Sequence, residues 1–192
     1  CFSCMQTTWY YAKKKTTAYK ERPEEQRQKY LIELEKLQDS PIVYLDETGI
    51  EQYLTRPYAR SKKGDRVIGW VSGKRYQRTS IVAALWETNI LAPLQYQGTM
   101  DSHLFNGWFE DCLLPVLPKN SVIVMDNASF HQKDILHETA EENGHSVLFL
   151  PPYSPDFNPI EKTWAWLKGK LRKILPSHAS LDDALLDCFA VR

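Results

Sequence analysis

Two four-residue apolar runs, Ile42-Val43-Tyr44-Leu45 and Val122-Ile123-Val124-Met125, each stop on an aspartate, Asp46 and Asp126, 80 positions apart. Runs this short, rich in β-branched residues and bounded by polar ones, predict buried strands rather than helices. In an α/β sheet the residues just past the strand ends line the ligand crevice. Two such strands lying side by side bring their terminal carboxylates within reach of one metal ion. Hard divalent cations such as Mg²⁺ are held by just this kind of site, one or two carboxylates completed by water and substrate phosphate.

The remaining chain predicts a mixed sheet covered by helices. Leu31, Leu34 and Leu37 give a helical pattern over 23–38, with Pro23 near its start and Pro41 beyond its end. Arg66–Ser72 and Thr79–Trp86 read as two strands of a hairpin around Gly73. Residues 102–114 and about 132–143 have helical spacing, and Ser146–Leu150 reads as a last strand. Ile160, Trp164, Leu167, Leu171 and Ile174 then mark one face of an amphipathic helix, and a final helix covers 181–190.

A proline-rich loop, Pro151 to Pro159, leads into that amphipathic helix. Asn158-Pro159-Ile160-Glu161 suits a capping box, with Glu161 bonding back to the Asn158 amide. Glu161 also lies one position off the apolar stripe, where a first-turn carboxylate can face a crevice. Spacing alone leaves both readings open. Two metal ions about 4 Å apart serve phosphoryl transfer when three or four carboxylates from different elements hold them. Asp46, Asp126 and Glu161 make such a set.

Charge is unevenly placed. The 24 Lys and Arg balance 24 Asp and Glu, yet Arg56–Arg78 holds eight basic residues against one acidic, and Asp101–Glu142 two against eight. Clustered cations interleaved with Tyr58, Gly64 and Tyr76 suit a loop or hairpin facing a phosphate backbone, although most charge runs are solvated faces. The longest apolar stretch, Ile81–Trp86, is far short of the roughly 18 residues of a membrane helix, so no membrane role is expected. Cys1 and Cys4 lack the further ligands a zinc site needs, and the four cysteines suit a reducing, cytoplasmic setting. A chain opening on Cys1 rather than Met is expected to be a fragment or a processed product.

Three blocks carry a family resemblance: Tyr44-Leu45-Asp46-Glu47-Thr48-Gly49, Val124-Met125-Asp126-Asn127-Ala128-Ser129-Phe130-His131, and Leu150-Pro151-Pro152-Tyr153-Ser154-Pro155-Asp156-Phe157-Asn158-Pro159-Ile160-Glu161. They resemble the signatures of mariner-superfamily transposases in the bacterial insertion-sequence branch, including the 34 residues between the second and third acids. The resemblance covers roughly residues 9–190. It implies an α/β, ribonuclease H-like mixed sheet flanked by helices and a D-D-E triad of Asp46, Asp126 and Glu161 binding two Mg²⁺ or Mn²⁺ ions. The implied reaction is cleavage of double-stranded DNA at transposon ends, then attack of the freed 3′-hydroxyl on target DNA, expected at TA. It further implies a homodimer acting at the bacterial nucleoid.

Residues 1–20 are then the remnant of an N-terminal helix-turn-helix region with its linker, and 21–192 the catalytic domain. Arg56, Arg60, Lys62, Lys63, Lys74, Arg75 and Arg78 are the candidates for DNA phosphates. Glu47, Asn127 and His131 are candidates for support around the acids, with a polar helix start the simpler reading of the last two and Glu47 expected on the opposite strand face. Asp156 reads as a turn residue, and Trp164 as packing. Two rivals stand beside the transposase: a catalytically silent DNA-binding or dimerisation module, and a ribonuclease H-like nuclease.

Overall fold

The computed structural model describes residues 22–37, 39–51, 60–62, 64–68 and 78–190. One five-stranded sheet organises them, in the order β3-β2-β1-β4-β5. Its strands are β1 (Ile42–Glu51), β2 (Arg78–Trp86), β3 (Asn89–Gln97), β4 (Val122–Met125) and β5 (Ser146–Phe149). β1, β2 and β3 form an antiparallel meander, while β4 and β5 join β1 in parallel. The helices are α1 (Glu24–Lys36), α2 (Ser102–Trp108), α3 (Lys133–Glu142), α4 (Ile160–Ile174) and α5 (Leu181–Ala190). None of the described helices is long and apolar enough to cross a membrane.

Strand alternation distributes the core over two faces. Val43, Leu45, Val82 and Ala84 point to one side, where Phe105 and Trp108 of α2 and Leu136 and Ala140 of α3 cover them. Ile50, Ile81, Ala83 and Leu85 point to the other, under Ile160, Trp164, Leu167 and Leu171 of α4 and Leu181, Ala184 and Leu185 of α5. α1 lays Tyr30 over Val122, Val124 and Leu150. Covered on both faces, β2 reads as a continuous apolar run instead of an alternating one. Ile160, Leu167 and Leu171 are fully buried, and each such side chain contributes about 1.5–3 kcal/mol relative to exposure. The predicted stripe of α4 is thus its buried face.

Three sequence expectations need correction. β1 does not stop at Asp46 but runs on to Glu51, because β2 pairs with it throughout, from Val43↔Trp86 to Glu51↔Arg78. The predicted hairpin of Arg66–Ser72 with Thr79–Trp86 gives way to a different one. Here β2 turns through Glu87-Thr88 into β3, and Arg66–Ile68 lie outside the sheet, the rest of that segment falling outside the described residues. β3 itself carries Pro93, which suits only an edge strand or a bulge. It sits at both: the register slips between Val82↔Leu94 and Ala84↔Leu91, and Ala92 takes a φ of 45°. The indole of Trp108 donates to the Ala92 carbonyl at 2.9 Å and fixes the bulge. Finally, the 102–114 helix is α only to Trp108, continuing as a π turn over Phe109–Leu113, which keeps Phe109 and Leu113 buried.

Candidate active site

The parallel pairing of β1 with β4 runs through Tyr44↔Val124. Continued by two residues, that register sets Asp46 opposite Asp126, on strands about 4.8 Å apart. β1 continues here with β2 alone, while β4 ends at Met125 and releases Asp126 into a loop with its side chain 57% exposed. Glu161 stands in the first turn of α4, exposed. All three acids line one cleft of about 450 Å³, walled on one side by Pro152, Tyr153 and Ser154 of the proline loop.

Electrostatics sets this cleft apart. Burial, then the charge of Glu161 and more weakly that of Asp126, push the Asp46 carboxyl up to about 7, against the hydrogen bonds it accepts from the Glu47 backbone and the Trp164 indole. Among the described residues, none of the three acids forms an ion pair with Lys or Arg. These acids are thus gathered, among the described residues, with hydrogen-bond dipoles and the His131 ring beside Asp126 to offset them. Among the described residues no three acids or histidines are drawn close enough to enclose an ion as they stand. The set nevertheless fits a hard divalent cation: all its donors are carboxylate oxygens, and two of the three, Asp126 and Glu161, are exposed.

The Asn158–Glu161 capping box does not form. Pro159 stands at the N-cap position with no side-chain cap, the Asn158 backbone N–H donates 3.0 Å to the Pro155 carbonyl, and its side-chain amide donates 3.2 Å to the carbonyl of Leu45. Glu161 therefore has no capping duty and lines the cleft.

A profile describing DDE superfamily endonucleases matches residues 41–183. The chain belongs to this family. Its fold is the ribonuclease H-like fold of the Mos1 transposase catalytic domain, which it matches at 16% identity and a TM-score of 0.62 over 92% of this chain and 86% of that one. The Mos1 transposase paired-end complex with left transposon end gives 17% identity and a TM-score of 0.71, covering 95% of this chain and 60% of that one. The Mos1 mariner paired end complex with Mn gives 17% and 0.70, over 95% and 60%. This chain thus spans about three-fifths of the length of those transposase chains. No curated protein matches it.

Around the acids of the DDE endonuclease, the predicted supporting residues have distinct places. Glu47 points to the α2 side of the sheet, as alternation requires, and accepts from the Tyr96 hydroxyl at 2.8 Å, burial holding its carboxyl above the ordinary range. The Asn127 amide donates 2.8 Å to the carbonyl of Leu150, joining the ends of β4 and β5. His131 is buried against Phe105, ring centroids 4.4 Å apart, and burial holds its pKa down. Its Nδ1 lies 3.1 Å from the Asp126 carbonyl, so the neutral ring carries its proton there as a donor. These contacts shape the loop that presents Asp126.

Of the basic candidates, Arg60 and Lys62 are exposed, and Arg78 opens β2 with its guanidinium laid over Gly49, where a Cβ would overlap it. Arg56, Lys63, Lys74 and Arg75 lie outside the described residues, as do residues 1–20. Two contributors escaped the sequence reading. Asp156 is more than a turn residue, since it pairs with Arg22 and with Arg27, 2.9 Å away, and Arg27 lies 3.8 Å over the Phe157 ring. Trp164 is more than packing, because its indole N–H donates 3.0 Å to Asp46 Oδ2. Its spacing of three from Glu161 puts both on one helix face, the one signal that pointed to it.

Proposed function

We propose that this DDE endonuclease is the catalytic domain, residues 21–192, of a mariner-type transposase of the insertion-sequence branch. It cuts double-stranded DNA at transposon ends and joins the freed 3′-hydroxyl to target DNA at TA. One observation carries the reading: carboxylates from β1, from the end of β4 and from α4 line a single cleft, and among the described residues no Lys or Arg pairs with them. Asp46, Asp126 and Glu161 would hold two Mg²⁺ or Mn²⁺ ions. Such a pair, when bound, activates an attacking oxygen and stabilises the leaving one in an in-line displacement at phosphorus. That the similar Mos1 complexes hold transposon-end DNA, one of them with Mn, supports both the substrate and the cation.

The chain's own residues then position the reacting groups. Asp46, mostly buried, would be the fixed ligand, and the exposed Asp126 and Glu161 would complete the set. In cleavage, water adds to the scissile phosphorus as the 3′-oxygen departs and takes up a proton. In joining, that 3′-hydroxyl loses its proton and attacks a target phosphorus, releasing a target 3′-hydroxyl. No protein–DNA ester is needed in either step. Exposed Arg60, Lys62 and Arg78, with Arg56, Lys63, Lys74 and Arg75, would meet DNA phosphates. A homodimer acting in the nucleoid follows from the need to join two ends.

The test is Mn²⁺-dependent nicking of supercoiled plasmid, a substrate that presumes no end sequence. Wild type is expected to nick and Glu161→Gln to fail. Undiminished nicking by Glu161→Gln sinks the triad, and preference for RNA–DNA hybrid over duplex DNA favours a ribonuclease H-like nuclease instead.

A further inference from the structure

We propose that Asn158 and Trp164 are positioning residues that clamp the helix carrying Glu161 onto the strand segment carrying Asp46, and so set the spacing between the first and third acids. The inference rests on the reading of those acids as metal ligands. Three observations support it.

Asn158, Glu161 and Trp164 follow one another at intervals of three, across the entry and first turns of α4. The two outer residues reach β1 at consecutive positions. Asn158 donates to the carbonyl of Leu45 at 3.2 Å, and Trp164 to the carboxylate of Asp46 at 3.0 Å. Glu161 is thus bracketed by two hydrogen bonds that end beside Asp46.

The first bond replaces something the sheet stops providing. The β1–β4 ladder closes at Tyr44↔Val124, so Leu45 meets no β4 partner, and a buried carbonyl needs a donor. The Asn158 amide fills that role. It does so although its own Oδ1 is buried without a partner, an arrangement that makes sense when the donor end is what the site requires. Asp46, for its part, accepts from no described side chain except Trp164. An indole N–H only donates, so it holds Oδ2 from the α4 side.

The rest of the α4 contact is apolar and gives no such registration. Ile160, Leu167 and Leu171 hold the helix on the sheet by burial, which is non-directional and tolerates small slides and rotations. Metal ligation needs its donors placed to within about 0.5 Å. Two directional bonds on either side of Glu161 supply that placement, and both are nearly closed to solvent, Trp164 being 2% exposed and Asn158 5%.

The experiment uses the whole chain with Mn²⁺ alone as probe, read by titration calorimetry, with thermal melting run alongside. Trp164→Phe removes the donor but also volume. A second variant therefore places β-(3-benzothienyl)alanine at position 164, which keeps the indole shape with sulfur for N–H. A third places 5-fluorotryptophan there, which keeps the N–H. The benzothienyl variant is expected to bind Mn²⁺ about tenfold more weakly, as for loss of a partner behind a metal ligand, while melting within a few degrees of wild type. The fluorinated variant is expected to bind as wild type does. Asn158→Ala is expected to weaken Mn²⁺ binding as well, and the double variant to lose less than the two single losses combined, because both act through one helix. A loss under threefold in the benzothienyl variant overturns the clamp, as does an equal loss in the fluorinated one. Asp46→Asn separates the two levels of the argument. If it leaves Mn²⁺ binding intact, the ligand assignment itself fails; if it abolishes binding while the benzothienyl variant binds normally, only the clamp fails.

Discussion

Asp46 and Asp156 are both carboxylates near Glu161, one on the strand beneath α4 and one five residues upstream, and the fold treats them in opposite ways. Asp156 sits half-exposed between Arg22 and Arg27, whose hydrogen bonds hold its carboxyl below the ordinary range. Asp46 is mostly buried, has no basic partner among the described residues, and is held well above that range. The pair with two arginines ties α1 to the proline loop and is complete as it stands. The acid without one is, on the proposed function, left open for a cation. A carboxylate's neighbours, more than its place in a motif, thus distinguish a structural acid from a chemical one.

The sharpest way to break this contrast is to neutralise each acid in turn. Asp126→Asn and Glu161→Gln are expected to lower Mn²⁺-dependent plasmid nicking by at least about a thousandfold, roughly 4 kcal/mol of barrier. Asp156→Asn is expected to stay within about tenfold of wild type. Equal losses in all three would erase the distinction.

A second test uses pH. Asp46 binds its proton more tightly folded than unfolded, with a carboxyl at about 7 against the ordinary 3.8. The metal-free protein should therefore lose stability as pH rises from about 4 to 7, by a few kcal/mol. Asp156, held low, works in the opposite sense, and its contribution fades as pH falls below the ordinary carboxyl range. In thermal melts at pH 5 and 8 without metal, Asp46→Asn should flatten the decline and melt higher than wild type at pH 8. A steeper decline in the variant would contradict the burial argument.

Smaller effects sharpen the structural side. Asp156→Asn leaves Arg27 buried with half its pairing gone, an expected cost of about 1–3 kcal/mol in urea unfolding, and Arg27→Met, which keeps a stem over Phe157, should cost less. The least change is expected at the surface. Arg60→Ala and Lys62→Ala should each reduce the salt dependence of duplex-DNA binding by about one counterion without altering Mn²⁺ affinity. An unchanged salt slope would remove them from the DNA path.

Much of this arrangement is legible in the chain. Ile42–Leu45, Val122–Met125 and the α4 stripe announce the strands and helix that carry the acids, because burial on both sheet faces or along one helix face leaves a plain apolar pattern. β3 left no such trace. Pro93 argues against a strand, and Glu87-Thr88 lacks the Asn-Gly or Asp-Gly signature of a tight hairpin, yet the edge position and bulge accommodate both. The second half of β1 was hidden for a related reason: its polar residues gain strand geometry from β2 rather than from their own preference. Trp164 was concealed by its own dual use, since an apolar stripe accounts for the ring and says nothing of the N–H. Asn158 looked like a helix cap, and only the sheet's layout reveals the carbonyl it serves instead.

The bulge at Ala92-Pro93 has a consequence beyond shaping the hairpin. β3 is the rim of the sheet, and an unbroken rim offers its free amides and carbonyls to any other extended chain. Pro93 brings no amide hydrogen, and Ala92 turns out of line with its carbonyl already taken by Trp108. That stretch of the rim is thereby closed to any strand that would extend the sheet, and edge-to-edge aggregation through it is disfavoured.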